Sequence, residues 1–500
     1  MKYAIGIDLG TSSVKILLVD QDGNVHSSVS RDYPLIQEKP GYSEQNPEEW
    51  VEKSIQSLKQ LVDESGVKAE DIEGLSFSGQ MHGLVLLDSE HQIIRNAILW
   101  NDTRTTPQCR EIEEKLGERL LEITKNPALE GFTLPKILWV QENEPENLEK
   151  TSVFLLPKDY LRFRLTGEIH AEYSDAAGTL LLDIENKSWS GDMLQAFGLN
   201  SDICPPLVES GDFIGTILPE IAEATGLTTS VKVFAGGADN ACGAIGAGIL
   251  SEGQALCSIG TSGVFLSYEN DSSRDYGGRV HLFNHSQKDS YYSMGVTLSA
   301  GHSFSWFKNT FAENESFDQL VKDASESPAG ANGLLFTPFL VGERTPYADA
   351  KIRGTFTGID SSHQKRDFTR SVLEGIVFSI NETVEIFRDS GKKVDTVISI
   401  GGGAKSDLWL QLQADIFNAK VIKLKSEQGP GMGAAMLAAA ALNWYPSLKE
   451  CADAFLSEAA SYEPVPENVQ RYQELFKLYK EIYPQTAVIN HGLFEFKQNQ

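Results

Sequence analysis

The sequence predicts an α/β protein made of two similar halves. Apolar strand patterns alternate with amphipathic helix patterns, as expected of sheets covered by helices. A second observation is an internal echo: the turn Gly10-Thr11-Ser12-Ser13 between two apolar runs recurs 250 positions later as Gly260-Thr261-Ser262-Gly263. Because this repeat falls at half the length of a 500-residue chain, it indicates two halves that each open on a β-hairpin.

The first half reads as hairpin, strand, helix and strand. Asp22-Gly23 turns the chain into the third strand, and Asn46-Pro47 before two glutamates is typical of a helix start. The fourth strand ends at Gly79, directly before Gln80-Met81-His82-Gly83. The predicted strands cover 3–20 as a pair, 25–33 and 71–78, and the helix covers 46–65.

The second half repeats this logic after a mixed segment, 128–227, that gives no clear pattern. A strand near Lys232 leads into Ala238-Asp239-Asn240 and a helix of small residues, and a hairpin over 255–268 follows. A later strand runs into Gly401-Gly402-Gly403, which opens another helix. The boundary between the halves is expected near 245–251, which gives domains at 1–247 and 248–485 and a tail at 486–500, whose last residues, 494–500, lack turn or periodic signals.

Composition is that of a globular protein, with 41% hydrophobic and 23% charged residues. The 43 Lys and Arg against 70 Asp and Glu leave a net charge of −27, which disfavours nucleic acid as a partner. An anionic small ligand would have to be held by backbone N–H groups, a metal ion or a few placed cations.

The cysteines and the apolar runs bear on location. The five cysteines are scattered without metal-binding spacing, which favours a reducing cytoplasm. The short apolar run before Asp8 is not a secretory signal, and no run approaches the roughly 20 residues of a membrane span. We expect a cytoplasmic protein without membrane contact.

Glycine clusters mark where a backbone approaches another group closely. A strand that feeds Gly401-Gly402-Gly403 at a helix start can bring backbone N–H groups to a ligand, although a packing turn explains it equally well. It matches neither a dinucleotide-binding fingerprint nor a P-loop. The cluster Gly429 to Gly433 favours tight helix packing over ligand contact.

Two longer motifs carry a resemblance to a known family. One runs from Gly131 through Lys136 and Trp139 to Asn143, and the other from Gly354 to Ile359 with Asp367-Phe368 and Ser371 to Glu374 beyond it. At this spacing the chain, over roughly 2–483, resembles the FGGY family of carbohydrate kinases. The resemblance implies two actin-like (ribonuclease H-like) domains of the actin, Hsp70 and hexokinase superfamily, with the active site in the cleft between them.

The resemblance also implies an activity. Three segments, 78–83, 100–104 and 236–240, are similar to those of family members that act on D-xylulose. The implied reaction is ATP-dependent phosphorylation of D-xylulose to D-xylulose 5-phosphate in D-xylose catabolism. Asp239 is the implied general base, since a carboxylate within hydrogen-bonding distance can take the hydroxyl proton as the O–P bond forms. Local sequence alone reads Asp239 as a helix cap.

The remaining site residues are carried over in the same way. The implied sugar contacts besides Asp239 are Met81, His82, Asn240, Trp100 and Asp102, where Met81 and His82 alone would read as ordinary core residues. The implied cofactors are ATP and Mg²⁺, with Asp8 toward the metal. The implied nucleotide contacts are Thr11, Ser12, Ser13, Lys15, Thr261, Gly301, Ser305, Gly402, Gly403 and Ser406. Lys15 either faces the turn or is exposed, and many relatives have Asn in place of Ser406 and some have Gln in place of Ser305.

Other functions stay open on the sequence. A kinase for ribulose, gluconate or glycerol has the same fold, because function depends on the site. A nucleotide-driven binding protein of the same superfamily is a further alternative, which the sugar-site residues disfavour. The expected partners are a small sugar and ATP, and a homodimer is the commonest symmetric assembly.

Overall fold

The computed structural model describes residues 1–498, and it is built around two sheets. In the first sheet the spatial order of strands is Phe213–Thr216, Lys232–Phe234, Ile72–Gly79, Tyr3–Leu9, Ser13–Asp20 and Val25–Asp32, and Gly237–Ala238 pairs with the end of Ile72–Gly79. In the second sheet the order is Glu458–Tyr462, Lys420–Leu424, Val394–Gly401, Gly253–Ile259, Gly263–Glu269, Tyr291–Thr297 and His281–Asn284.

The two sheets share one topology. In each, an opening hairpin continues antiparallel into a third strand, and the hairpin's first strand pairs in parallel with a later strand that itself pairs in parallel with the next. The predicted echo is therefore confirmed as a structural repeat, and so is the predicted α/β class.

Helices cover the sheets and connect their strands. They span Pro47–Ser65, Thr106–Leu116, Glu118–Thr124, Thr133–Asn143, Pro145–Lys150, Pro157–Thr166, Tyr173–Ala176, Gly191–Ala196, Pro219–Thr225, Asp239–Gly246, Gly301–Phe311, Phe317–Ser325, Lys365–Asp389, Asp407–Phe417, Pro430–Ala441, Leu448–Phe455 and Pro466–Gln498. Short 3₁₀ turns lie at Ala69–Asp71, Ala177–Thr179, Ser201–Ile203, Ala331–Gly333 and Gly402–Ala404. Two-stranded ladders join Glu44–Gln45 to Ala97–Ile98, Val85–Leu87 to Val153–Leu155, Ala171–Glu172 to Leu207–Val208, Leu182–Asp183 to Ser188–Trp189, and Leu335–Thr337 to Thr355–Thr357.

The helix predicted over 46–65 forms for the expected reason. Asn46 caps it by accepting the Glu48 N–H, Pro47 is its first residue, and Gly66 ends it in a left-handed conformation. Its buried face carries Trp50, Leu58 and Leu61 against the first sheet.

Two helices made of small residues pack at the junction of the halves. A Cβ on Gly433 would lie 1.8 Å from the carbonyl oxygen of Cys242, and a Cβ on Gly6 would lie 2.0 Å from that of Gly431. The prediction that the Gly429 to Gly433 cluster serves packing is confirmed, since only glycine permits these approaches. The helix Pro430–Ala441, although late in the chain, thereby packs on the first sheet.

The C-terminal segment differs from the irregular tail expected from sequence. Residues 486–498 continue the helix Pro466–Gln498, and 499–500 lie outside the described residues. Contacts with a loop of the second half hold this segment: His491 pairs with Asp349 at 2.7 Å, and Arg353 lies over the ring of Phe494. Such contacts are between distant segments and leave no periodic signal in the tail itself.

None of the five cysteines forms a disulfide. Within 1–498, no helix combines the length and the apolar character needed to cross a bilayer.

Candidate active site

The site lies where three parallel strands of the first sheet end together. In the register of that sheet Leu9 is opposite Gly79, and Gly79 is opposite Ala238. Asp8 is the last residue but one of its strand, Met81 lies two residues after Gly79, and Asp239 directly follows Ala238, so the three residues meet at one edge.

The predicted sugar-contact residues are brought together here. The side-chain amide of Asn240 lies 3.7 Å from Met81 Sδ, and its Nδ2 and backbone N donate to Asp239 Oδ1 at 3.1 and 2.7 Å. Both bonds use Oδ1, so Asp239 Oδ2 accepts no hydrogen bond from any residue of 1–498. Asp239 opens its helix as the first helical residue, after Ala238. This position agrees with the local helix-start signal, although Asp239 is not the cap itself.

Two carboxyl groups with raised pKa values share this edge. Burial, and then the negative charge of Asp8, raises the pKa of Asp239 to about 7. Burial raises the pKa of Asp8 to about 6, against the Ser78 hydroxyl and the charge of Lys15, which lower it. A pair of carboxyl groups that titrate near neutrality is typical of a catalytic site.

His82 is a neutral, fixed imidazole. Burial, with the positive charge of Lys136 and that of Arg344, lowers its pKa to about 3. Its Nδ1 lies 2.6 Å from the Gly178 carbonyl oxygen and must donate to it, which leaves Nε2 as an acceptor. The ring packs on Phe132 with centroids 4.7 Å apart.

The first predicted phosphate turn is anchored by its neighbours. Gly10 N donates to Ser13 O at 3.0 Å, Trp100 Nε1 donates to Thr11 Oγ1 at 2.8 Å, and Gln45 donates to Thr11 O. Ser12 stays exposed. Trp100 is 45% exposed, so it adjoins this turn as a wall.

Lys15 faces the site side of the hairpin, which decides between the two orientations considered above. Its Nζ donates to Gln428 Oε1 at 3.0 Å, and its charge acts on Asp8. The neighbouring Glu427 accepts from Gly401 N at 2.9 Å. The segment before Pro430 thus joins the strand ends of the second sheet to the first hairpin.

The second turn borders a cavity of about 630 Å³. Gly301 N donates to Gly260 O at 2.8 Å, and a Cβ at Gly301 would come within 2.3 Å of that oxygen. This cavity is lined by Thr261, Gly301, Ser305, Gly402 and Ser406 among the predicted nucleotide residues, and by Phe304, Phe317 and Trp409 among the aromatic ones.

Two predicted residues of this region have structural tasks. Gly403 does not line the cavity, because it packs behind the wall, where a Cβ would lie 2.7 Å from Ile259 Cδ1. Ser406 does line it, but its hydroxyl also caps the helix Asp407–Phe417 by accepting the Trp409 N–H.

Asp102 is not a pocket wall, and that expectation is wrong. Its side chain is fully buried and accepts from Ser43 N at 2.6 Å and from Arg104 Nε and Nη2 at 2.9 and 2.6 Å. An acid whose lone pairs are used in this way fixes the backbone that carries Trp100.

Several residues around the site were not identified from sequence. Tyr292 OH lies 3.8 Å from Met81 Sδ and brings a strand of the second sheet against the sugar-contact residues. Arg344, exposed and without a side-chain hydrogen bond or ion pair to any residue of 1–498, acts electrostatically on His82 and His281. The aromatic residues of the cavity lie in helices whose periodicity signals only burial.

The comparisons with known proteins identify the family of the chain. Models of the N-terminal and C-terminal domains of the FGGY family of carbohydrate kinases match residues 3–246 and 255–442, which together exceed half of the chain. The chain belongs to the FGGY family of carbohydrate kinases.

FGGY relatives match over nearly the full length. A xylulose kinase of Bacillus subtilis is 63% identical over 499 residues, covering 100% of both chains. A ligand-bound xylulose kinase of Lactobacillus acidophilus superposes with a TM-score of 0.93 at 29% identity, covering 97% of this chain and 99% of that one. A gluconate kinase of Lactobacillus acidophilus gives 0.93 at 30% identity, covering 97% and 98%. The expected family and its two-domain kinase fold are confirmed, and ATP is the phosphate donor of FGGY kinases.

Proposed function

We propose that this FGGY kinase transfers the γ-phosphoryl group of ATP to the terminal hydroxyl of D-xylulose, giving D-xylulose 5-phosphate and ADP. The observation that carries the proposal is that two carboxyl groups, Asp239 and Asp8, lie close enough at the strand ends for the charge of Asp8 to act on Asp239. They lie beside Met81 and Asn240. The relative that is 63% identical over 499 residues is a xylulose kinase, which supports this choice of sugar.

In this mechanism Asp239 is the base. Asn240 holds Oδ1, so Oδ2 is free to accept the proton of the sugar hydroxyl while its oxygen bonds to phosphorus. The proton stays on Asp239 until product leaves. A pKa near 7 suits this task, because the carboxylate is present at neutral pH and still binds a proton well.

The rest of the sugar site selects a hydroxylated chain. His82 Nε2 can accept a hydrogen bond from a sugar hydroxyl, Met81 and Tyr292 give an adaptable wall, and Trp100 borders the first turn. Arg344 approaches from the second half.

The nucleotide occupies the cavity of the second half. Its volume of about 630 Å³ is in the range of small-ligand sites, and the aromatic side chains of Phe304, Phe317 and Trp409 suit a base. Thr261 and Gly301 then lie toward the phosphates, with Thr11, Ser12, Ser13 and Lys15 on the opposite hairpin. These are backbone and hydroxyl donors with one cation, as an acidic protein needs for an anionic ligand.

Mg²⁺ fits beside Asp8. Mg²⁺ commonly takes one or two carboxylates together with substrate phosphates and water, so the single carboxylate of Asp8 is sufficient when phosphates are present. When bound, the ion would neutralise charge on the transferred phosphoryl group. Lys15, on the second strand of the hairpin, lowers the pKa of Asp8 and thereby favours its ionised form.

The pH profile should show the acid limb of Asp239. We expect kcat/KM for the sugar to fall as pH drops through about 7, because protonated Asp239 cannot accept the hydroxyl proton. In Asp8→Asn the like charge is gone, so the same limb should lie at lower pH even though the rate is reduced. A limb that stays in place in Asp8→Asn would contradict the proposed coupling.

The substrate is tested with ADP release coupled to NADH oxidation. The purified kinase is given D-xylulose, D-ribulose, gluconate and glycerol at equal concentrations with ATP and Mg²⁺. We expect the highest kcat/KM with D-xylulose and a product phosphorylated at the terminal carbon by NMR. Higher kcat/KM with gluconate would assign the chain to another FGGY activity, and ATP turnover indifferent to any sugar would support a nucleotide-driven binding protein.

A further inference from the structure

Lys136 is a buried cation whose partners are all backbone carbonyls. Its side chain is fully buried, and Nζ donates to His82 O at 3.1 Å, to Phe132 O at 3.0 Å and to Gly131 O. An ammonium group has three N–H donors, and all of them are used here.

The charge of Lys136 is not neutralised by a carboxylate. Within 1–498 no acidic oxygen lies within 4 Å of its Nζ, and Asp102, whose charge acts on it, is already bound by Arg104. Burial lowers the pKa of Lys136 to about 7. Because an unpaired buried charge is costly, a stability role alone explains Lys136 poorly: an apolar residue in this core would avoid the penalty.

The carbonyls that Lys136 binds belong to the segments that frame the sugar site. His82 has a φ of 68°, a left-handed conformation that is uncommon for residues other than glycine. Its carbonyl oxygen receives a second bond, from Thr133 Oγ1 at 3.0 Å. The ring of His82 packs on Phe132, whose carbonyl oxygen is also bound by Lys136.

We propose that Lys136 is a positioning residue for the sugar, which ties His82 to Gly131 and Phe132 so that Met81 and His82 keep the geometry that receives the sugar hydroxyls. Lys136 does not touch substrate itself. Its effect is on sugar binding, while the cavity of Thr261 and Trp409 lies on the other half of the molecule.

The test replaces Lys136 by methionine, which keeps the length and removes every donor. This sugar readout rests on the proposed function, so the parent enzyme is assayed on D-xylulose first. We expect Lys136→Met to raise the KM for sugar by roughly ten- to hundredfold, with the KM for ATP changed by less than about threefold. Lys136→Arg, which keeps donors, should recover part of the loss.

Two further variants separate positioning from general weakening. Leu134→Ala opens a cavity in the same helix from a fully buried side chain and should lower Tm with little change in either KM. Thr133→Val removes only the second bond to His82 O, and it should fold and raise the sugar KM modestly. A sugar KM that is unchanged in both Lys136→Met and Thr133→Val, or that rises equally with the KM for ATP, overturns the proposal.

A readout that needs no substrate distinguishes this proposal from the proposed function. Hydrogen exchange should be faster in Lys136→Met at 79–84 and 130–134 and unchanged at 258–263. If the parent does not turn over D-xylulose, the proposed function is wrong, but hydrogen exchange still tests whether Lys136 holds the segments of His82 and Phe132 together. Unchanged exchange at 79–84 overturns the positioning role whatever the sugar is.

Discussion

Replacement of Asp239 by asparagine is expected to lower kcat for sugar phosphorylation by about 10² to 10⁴. Asparagine keeps the shape and the hydrogen bonds from Asn240 but cannot accept the hydroxyl proton. Because the sugar and nucleotide contacts stay in place, both KM values should change far less than kcat. Steady-state ADP release over a range of both substrates measures this difference.

Stability provides the control for Asp239→Asn. Burial and the charge of Asp8 disfavour the ionised form of Asp239, so its pKa is higher in the folded protein than in the unfolded chain. The protein therefore loses stability as the pH rises from the unfolded-state pKa of this group to its folded-state pKa. The neutral variant should therefore have a Tm at neutral pH equal to or above that of the parent. Asp389→Asn, at an exposed acid, should change neither kcat nor Tm. A kcat within tenfold of the parent would show that Asp239 is not the base.

The elements predicted correctly are those whose signal is local. The hairpin around Gly10 to Ser13, the capped helix from Pro47 and the helix start at Asp239 each depend on a few consecutive residues. The repeated turn at Gly260 also predicted that the second sheet has the strand topology of the first, because the same local signals occur in the same order in both halves. The convergence of Asp8, Met81 and Asp239 then follows from parallel pairing, since each adjoins a strand end.

The residues that sequence reasoning missed or misplaced depend on contacts between distant segments. Tyr292 meets Met81 across 211 positions, and nothing in the strand Tyr291–Thr297 marks one tyrosine as functional. Asp102 looked like a site residue because of its motif, and only its pairing with Arg104 and Ser43 reveals its structural role. The C-terminal helix extends through 486–498 on contacts with Asp349 and Arg353, which its own sequence does not announce.

Behind the sheet edge that carries Asp239 lies a buried charge cluster that supports it. Lys158 Nζ lies 2.8, 3.2 and 3.6 Å from carboxylate oxygens of Asp159, Asp175 and Glu172, and all four side chains are fully buried. Glu172 accepts from Ser174 Oγ, which in turn accepts from Ala238 N at 2.9 Å, one residue before Asp239. The position of the proposed base thus depends on a lysine that sequence reasoning did not identify.

Replacement of Lys158 by methionine is expected to destabilise the protein by about 3 to 5 kcal/mol, because it leaves the buried carboxylates of Asp175 and Glu172 without their cation, whereas Asp159 keeps its pairing with Arg162 at 2.7 Å. Although burial lowers it, the charges of Asp159, Asp175 and Glu172 on balance raise the pKa of Lys158, so the lysine is charged throughout the neutral range. Urea denaturation followed by circular dichroism and tryptophan fluorescence measures the loss. Lys59→Met, at a lysine 58% exposed and paired with Asp63, should cost no more than about 1 kcal/mol.

The pH dependence of this loss identifies its cause. Burial raises the pKa of Asp175 and of Glu172, so both carboxyl groups take up protons readily once the cation is gone. The difference in stability between Lys158→Met and the parent should therefore shrink as pH falls from 8 toward 5. A difference that is constant over this range would mean that lost packing of the lysine side chain, and not an uncompensated charge, destabilises the variant. A cost no greater than that of Lys59→Met would mean that the pairing of Lys158 with these carboxylates does not stabilise the fold.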